Sequence, residues 1–167
     1  MSNDAGSIRP FRTEDEGATL VEIALASSIL FAAVFGVIIM SFALYTYDFL
    51  ADAAREGARY AIVRGLYCTG FSDCNADESQ ISSYVKSIAY PGINPNNMTV
   101  TASWYTVKQF TSSPTTVTLC ANTNPAGCNI PGNAVAVTVT YAFPLNIPFW
   151  TSTTLNMSSM SQLVISQ

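Results

Sequence analysis

Ile29-Leu30-Phe31-Ala32-Ala33-Val34-Phe35-Gly36-Val37-Ile38-Ile39-Met40 lies inside a longer run, residues 23–47, that carries no formal charge. A helix rises about 1.5 Å per residue, so a hydrocarbon core of roughly 30 Å is crossed by about 20 apolar residues. The run is long enough to span a bilayer with a turn to spare. No proline falls between Pro10 and Pro91, so nothing obliges the helix to stop at the membrane surface. The pattern predicts one long helix from about Thr19 to Arg64, with its second half standing clear of the lipid.

A secretory signal peptide is the rival reading of the same run. Signal cores are only about 7–15 residues long and are preceded by basic residues, whereas this run is longer and follows Glu14-Asp15-Glu16. A retained anchor fits better. Arg9 and Arg12 precede the run, and Arg55, Arg59 and Arg64 follow it. Lysine and arginine counting alone would put the C-terminal side in the cytoplasm. The cysteines argue the other way and outweigh it, because Arg55 and Arg59 are interleaved with Asp52 and Glu56 as in a folded helix.

Upstream, residues 1–16 have no periodicity and read as a polar, disordered tail. Thr19 and Glu22 have capping-box spacing just before the apolar run, which is one account of that carboxylate. Ala24, Ser28, Ala32 and Gly36 recur every four residues and form a face with little side chain, the kind that lets helices approach closely in a membrane.

Downstream, Asp52 with Arg55 and Glu56 with Arg59 are favourable pairs at three-residue spacing. Leu50, Ala54, Ala58 and Ala61 mark another side of the same helix. With Gly57 they make a narrow surface suited to close packing against a sheet or a second helix. Arg64-Gly65 reads as the helix end. A second helix is expected over 76–89, with Asn75 and Glu78 as its capping box and Ile81, Tyr84, Val85 and Ile88 on one face. The period then becomes two. Strands are expected from Val100, Ala102 and Trp104; over 115–121; over 134–143, with Val135, Val137, Val139, Tyr141 and Phe143 on one face; and over 155–165, with a bulge near Ser159 or Met160. A three- to four-stranded antiparallel sheet with one apolar face needs a cover, and the two helices supply it. The expected class is α+β. Leu145, Ile147, Phe149 and Trp150 in the 144–150 connection are read as folding back to close the core, with a partner or the lipid interface as the rival place for them.

The rest of the composition narrows the function. Seven Lys/Arg stand against eleven Asp/Glu without a large basic cluster, which argues against a nucleic-acid partner. Histidine is absent, so His-based triads and His-ligated metals are excluded. Cys68, Cys74, Cys120 and Cys128 allow three pairings. Short Gly-, Pro- and Asn-bearing loops favour 68–74 and 120–128. Zinc is the rival, at spacings wider than its usual ligands show. Disulfides would place this part outside the cytoplasm. No constellation of nucleophile and base stands out, so the chain is expected to be neither an enzyme nor a cofactor binder.

Gly17-Ala18-Thr19-Leu20-Val21-Glu22-Ile23-Ala24-Leu25, the long span behind it, and Ala53-Ala54-Arg55-Glu56-Gly57-Ala58-Arg59-Tyr60-Ala61 together resemble the TadE-like family of bacterial pilus-associated pseudopilins. Residues 132–139 are similar to that family's valine-rich strand, and Phe143-Pro144-Leu145 to the turn after it. The resemblance implies a pilin-like fold and cleavage by a prepilin-type peptidase between Gly17 and Ala18, which makes Glu22 the fifth residue of the product. It further implies a single-pass protein of the bacterial inner membrane with its N-terminus in the cytoplasm. The division expected is a leader over 1–17, a membrane and membrane-proximal helix over 18–65, and an extracytoplasmic domain over 66–167. The implied role is that of a minor pseudopilin of a tight-adherence pilus or secretion system, with other pilins, inner-membrane assembly proteins and the bilayer as partners. Members often carry a proline about six residues after the glutamate, where this chain has Ser28. A membrane-anchored binding or adhesion module is the alternative reading.

Overall fold

The computed structural model describes residues 13–88, 91–107, 117–120, 127–145 and 152–166. Its dominant element is helix α1, Thr13–Ile62. The helix starts six residues before the expected Thr19, so Thr19 and Glu22 lie within its body and do not form a cap. From Ala18 to Phe42 it is exposed almost throughout; Ala43 is its first buried residue. Beyond that point Phe49, Leu50, Ala53, Ala54, Ala58 and Ala61 are at most 4% exposed. One uninterrupted helix is therefore bare in its first half and core in its second.

Four strands complete the fold: β1 Met98–Val107, β2 Val117–Leu119, β3 Ala134–Leu145 and β4 Thr153–Val164. They form one antiparallel sheet in the order β2-β1-β3-β4. Register follows from alternation: Val100, Ala102 and Trp104 of β1 stand opposite Val139, Val137 and Val135 of β3, and all six are buried. A one-residue slip would turn every one of them to the other face. The outer half of α1 covers β3 and β4, while the second helix, α2 (Glu78–Ser87), covers β1 and α1. The class is α+β, with the sheet's apolar face closed by both helices.

Gly57 makes this closeness possible. A Cβ there would stand 2.7 Å from Val85 Cγ2 of α2 and 3.1 Å from Val137 Cγ1 of β3. The surface expected to receive a sheet or a helix receives both.

Several expectations are corrected. The capping box of α2 is Asp77 with Gln80, two residues after Asn75 and Glu78: the Asp77 carboxylate accepts from the Gln80 N–H at 2.9 Å, and the Gln80 side chain accepts from the Asp77 N–H at 3.1 Å. Asn75 cannot cap, because its φ is +57° and its N–H donates to the Gly65 carbonyl. Strand β4 has no bulge; it pairs with β3 without interruption from Thr153 to Val164. Ser159 and Ser161 share the inward face with Met157 and Leu163, and Met160 and Val164 point outward, so hydroxyl residues at inward positions caused the apparent change of phase. Phe143-Pro144-Leu145 is strand, not turn. Strand β1 begins at Met98, opposite Tyr141, so Pro144 lies where β3 has one neighbour, a place that tolerates a missing N–H. The remainder of the 144–150 connection, and 115–116 and 121 of the shorter expected strand, lie outside the described residues.

The cysteines pair locally, Cys68 with Cys74 and Cys120 with Cys128, at Cα separations of 5.5 and 6.4 Å. Closing loops this short stabilises by about 2 kcal/mol each in the chain-entropy account.

Candidate functional site

The residues singled out for processing and assembly all lie on the bare half of α1. Gly17, Ala18, Glu22, Ala24, Ser28, Ala32 and Gly36 are exposed, and α1 runs without interruption through the Gly17–Ala18 bond. Glu22 is four residues beyond Ala18, one turn along the same face. Added Cβ atoms at Gly17 and Gly36 would meet nothing within 4 Å.

The serine and threonine hydroxyls within the apolar stretch are satisfied by its own backbone. Ser27 donates to the Ala24 carbonyl (3.0 Å), Ser28 to Leu25 (2.8 Å), Ser41 to Val37 (2.8 Å) and Thr46 to Phe42 (2.8 Å). A hydroxyl bonded back to its own helix no longer needs water, which is what hydrocarbon requires of it. Ser28, in the place where the resembled family often has proline, thus sits in unbroken helix. Ser28, Ala32 and Gly36 line one groove of about 890 Å³, together with Phe35, Ile39 and Met40. Ala24 is outside that lining. Leu145 of β3 and Leu155 of β4 also line this groove. No periodicity along α1 could have indicated these two, since the sheet brings them there. Among the described residues, the 46-residue stretch Gly17–Ile62 is the one helix long and apolar enough to cross a membrane, and its most apolar part is unburied. This is consistent with a single-pass membrane protein.

A polar cluster that the sequence reading missed holds the end of α1. Asp73, from the 68–74 loop, accepts from the Tyr60 hydroxyl and from Arg64 Nε, the latter at 2.8 Å. The guanidinium of Arg64 lies 3.8 Å from the Tyr60 ring centroid and 4.9 Å from that of Phe71. Tyr60 stacks on Tyr84 of α2 at 4.1 Å, and Tyr84 donates to Glu56. Arg64 and Asp73 are 17% and 30% exposed, while Asp52–Arg55 and Glu56–Arg59 are far more open and contribute little. Arg64 therefore does more than answer the helix dipole: it fastens the 68–74 loop to the helix. Asn129 adds a second clasp, donating from Nδ2 to the Arg64 carbonyl (3.1 Å) and accepting from the Leu66 N–H (2.6 Å).

This cluster gives stability a pH signature. The Tyr60 hydroxyl, and after it Arg64, hold the Asp73 carboxyl below the usual carboxylate range; the Ser79 hydroxyl and the Gln80 N–H do the same for Asp77. The folded chain binds these protons less readily than the unfolded chain. The stabilisation is therefore full above the unfolded value near pH 4 and is lost as pH falls through the lowered ones. Burial first, then the bonds to Asp73 and Glu56, push the Tyr60 and Tyr84 hydroxyls up. Their contribution is full below about pH 10 and is lost as pH rises through the raised values. Denaturant midpoints should fall on both limbs. Asp73→Asn should flatten the acid limb and Tyr60→Phe the alkaline one; unchanged limbs would remove the cluster as their origin.

Among the described residues no group of three or more His, Cys, Asp or Glu could hold a metal ion.

The family model described as TadE-like protein matches residues 17–59, the stretch from the Gly17–Ala18 bond through the spanning run to the Asp52–Arg59 helix face. No curated protein and no solved structure matches the chain.

Proposed function

We propose that this chain, matched over residues 17–59 by the TadE-like family model, is a minor pseudopilin-like subunit that works in assembly of a bacterial tight-adherence pilus or secretion system. The observation that carries the reading is the coincidence of that match with a helix bare over its first half and domain core over its second. In this reading a prepilin-type peptidase cuts between Gly17 and Ala18, and residues 1–17 are a cytoplasmic leader. The spanning helix leads through the inner membrane to a pilin-like extracytoplasmic domain over 66–167, where the two disulfides persist. The work is done by docking, not catalysis. Ala24, Ser28, Ala32 and Gly36 offer the face against which helices of other pilins and inner-membrane assembly proteins pack.

Mass spectrometry of the chain purified from cells that hold the rest of such a system should find Ala18 at the N-terminus. In the same preparation, Gly36→Leu should reduce co-purified pilins without reducing insertion. The isolated helix has room for the larger side chain, so a loss reports on the partner. An intact Met1 would sink the pseudopilin reading, and undiminished partners with Gly36→Leu would remove this face from it.

A further inference from the structure

We infer that the β3–β4 end of the sheet is a second membrane contact, seated in lipid beside α1. The inference rests on the spanning helix of the reading above and not on its pilus role.

Glu22 and Asp48 bound the uncharged run, residues 23–47. A hydrocarbon core takes up about 20 helical residues. Slide that length anywhere between the two charges, and residues 28–42 stay inside it. Phe35, Gly36, Ile39 and Met40 are therefore at lipid depth in every placement. Leu145 and Leu155 line the same groove as these four, with Ala43. On another side of the helix, Ile39 and Phe42 line a second recess with Ile93, Phe143 and Pro144. The domain's lower end thus reaches the level of residues that lipid must surround. What covers Leu155, which is 46% exposed, is settled by depth: Met40, 61% exposed in the same groove, needs the same solvent.

Charge supports the same conclusion independently. Every Asp, Glu, Lys and Arg of the chain lies at or before Lys108, so β2, β3, β4 and all that joins them carry no charged side chain. A charged group at the midplane is costly on every scale. This end of the sheet has none to desolvate.

The test places a nitroxide on Leu155→Cys in the full chain, reconstituted in vesicles of phosphatidylcholine and phosphatidylglycerol. The native cysteines are all disulfide-bonded and do not take the label. Val37→Cys is the lipid reference. Val164→Cys, exposed at the far end of the same strand about 30 Å away, is the water reference. The label at 155 should be relaxed by dissolved oxygen in preference to a nickel chelate, with a ratio several-fold above that at 164 and close to that at 37. A ratio equal to that at 164 overturns the proposal. So does exclusion of both relaxants, which would mean that protein covers the groove. If position 37 itself is open to the nickel chelate, the spanning helix fails and this inference with it. Position 37 in lipid with 155 in water defeats this inference alone.

Discussion

Gly57→Val is expected to cost about 3 kcal/mol of stability, a large part of the roughly 5–15 kcal/mol that holds a typical domain together. Even the Cβ alone would press on Val85 Cγ2 at 2.7 Å and Val137 Cγ1 at 3.1 Å. Neither valine can turn aside freely, because β-branched side chains are stiff at χ1. Gly57→Ala should lose less, about 1 kcal/mol net, since alanine returns roughly 1 kcal/mol of helix propensity against the overlap. The double variant Gly57→Ala with Val85→Ala should cost less than the sum of its parts by about 0.5 kcal/mol or more, because it removes one of the colliding methyls. Guanidinium unfolding of the detergent-solubilised chain, followed through the near-ultraviolet signal of buried Trp104, measures all three. Midpoints unchanged by valine would show that α1 does not approach α2 and β3 as closely as described.

The small surface around Gly57 was legible in the sequence because helical periodicity governs it. Leu50, Ala54, Ala58 and Ala61 fall on one side of a helix whatever they meet, and the alternation of β1 and β3 fixes faces in the same way. The α2 cap was not legible. Asn75 with Glu78 and Asp77 with Gln80 are equally spaced, and only the left-handed backbone of Asn75 decides between them. The phase of β4 was misread because Ser159 and Ser161 stand at inward positions where apolar residues were expected. Asp73 was invisible for another reason: its partners Tyr60 and Arg64 belong to a different element. On the candidate site, the sequence marked the face of Ser28, Ala32 and Gly36, but Leu145 and Leu155 reach that groove only through the sheet.

Glu22→Gln should leave insertion and cleavage intact and reduce partner co-purification about tenfold, the equivalent of 1.4 kcal/mol. Cleavage after Gly17 would create an α-amine at Ala18, largely protonated near neutral pH and one helical turn from Glu22. A carboxylate at the membrane edge is costly without a compensating charge. In the proposed pseudopilin reading that amine, on the same chain or on a docked neighbour, would supply one and would set the subunits at a common depth. The competing account, a helix cap built on Thr19, has lost its footing in the uncleaved chain because α1 begins at Thr13. Quantitative mass spectrometry of co-purified pilins, wild type against Glu22→Gln, decides the matter. Equal recovery with the N-terminus at Ala18 would leave the family resemblance standing and deny the charge its role.

The Ile62 carbonyl, in the last residue of α1, accepts hydrogen bonds from the backbone and the hydroxyl of Ser166, and neighbouring Ile165 is 2% exposed in the core. These partners are separated by 104 positions in the chain. A ribosome adds about 5–20 residues each second, so the helix end waits at least several seconds for the residues that finish it. During that interval Phe49, Leu50 and the alanines behind them have no strand β4 to lie against. Delivery of this protein is therefore also a matter of timing. The second half of α1 stays half covered until Ser166 has been made.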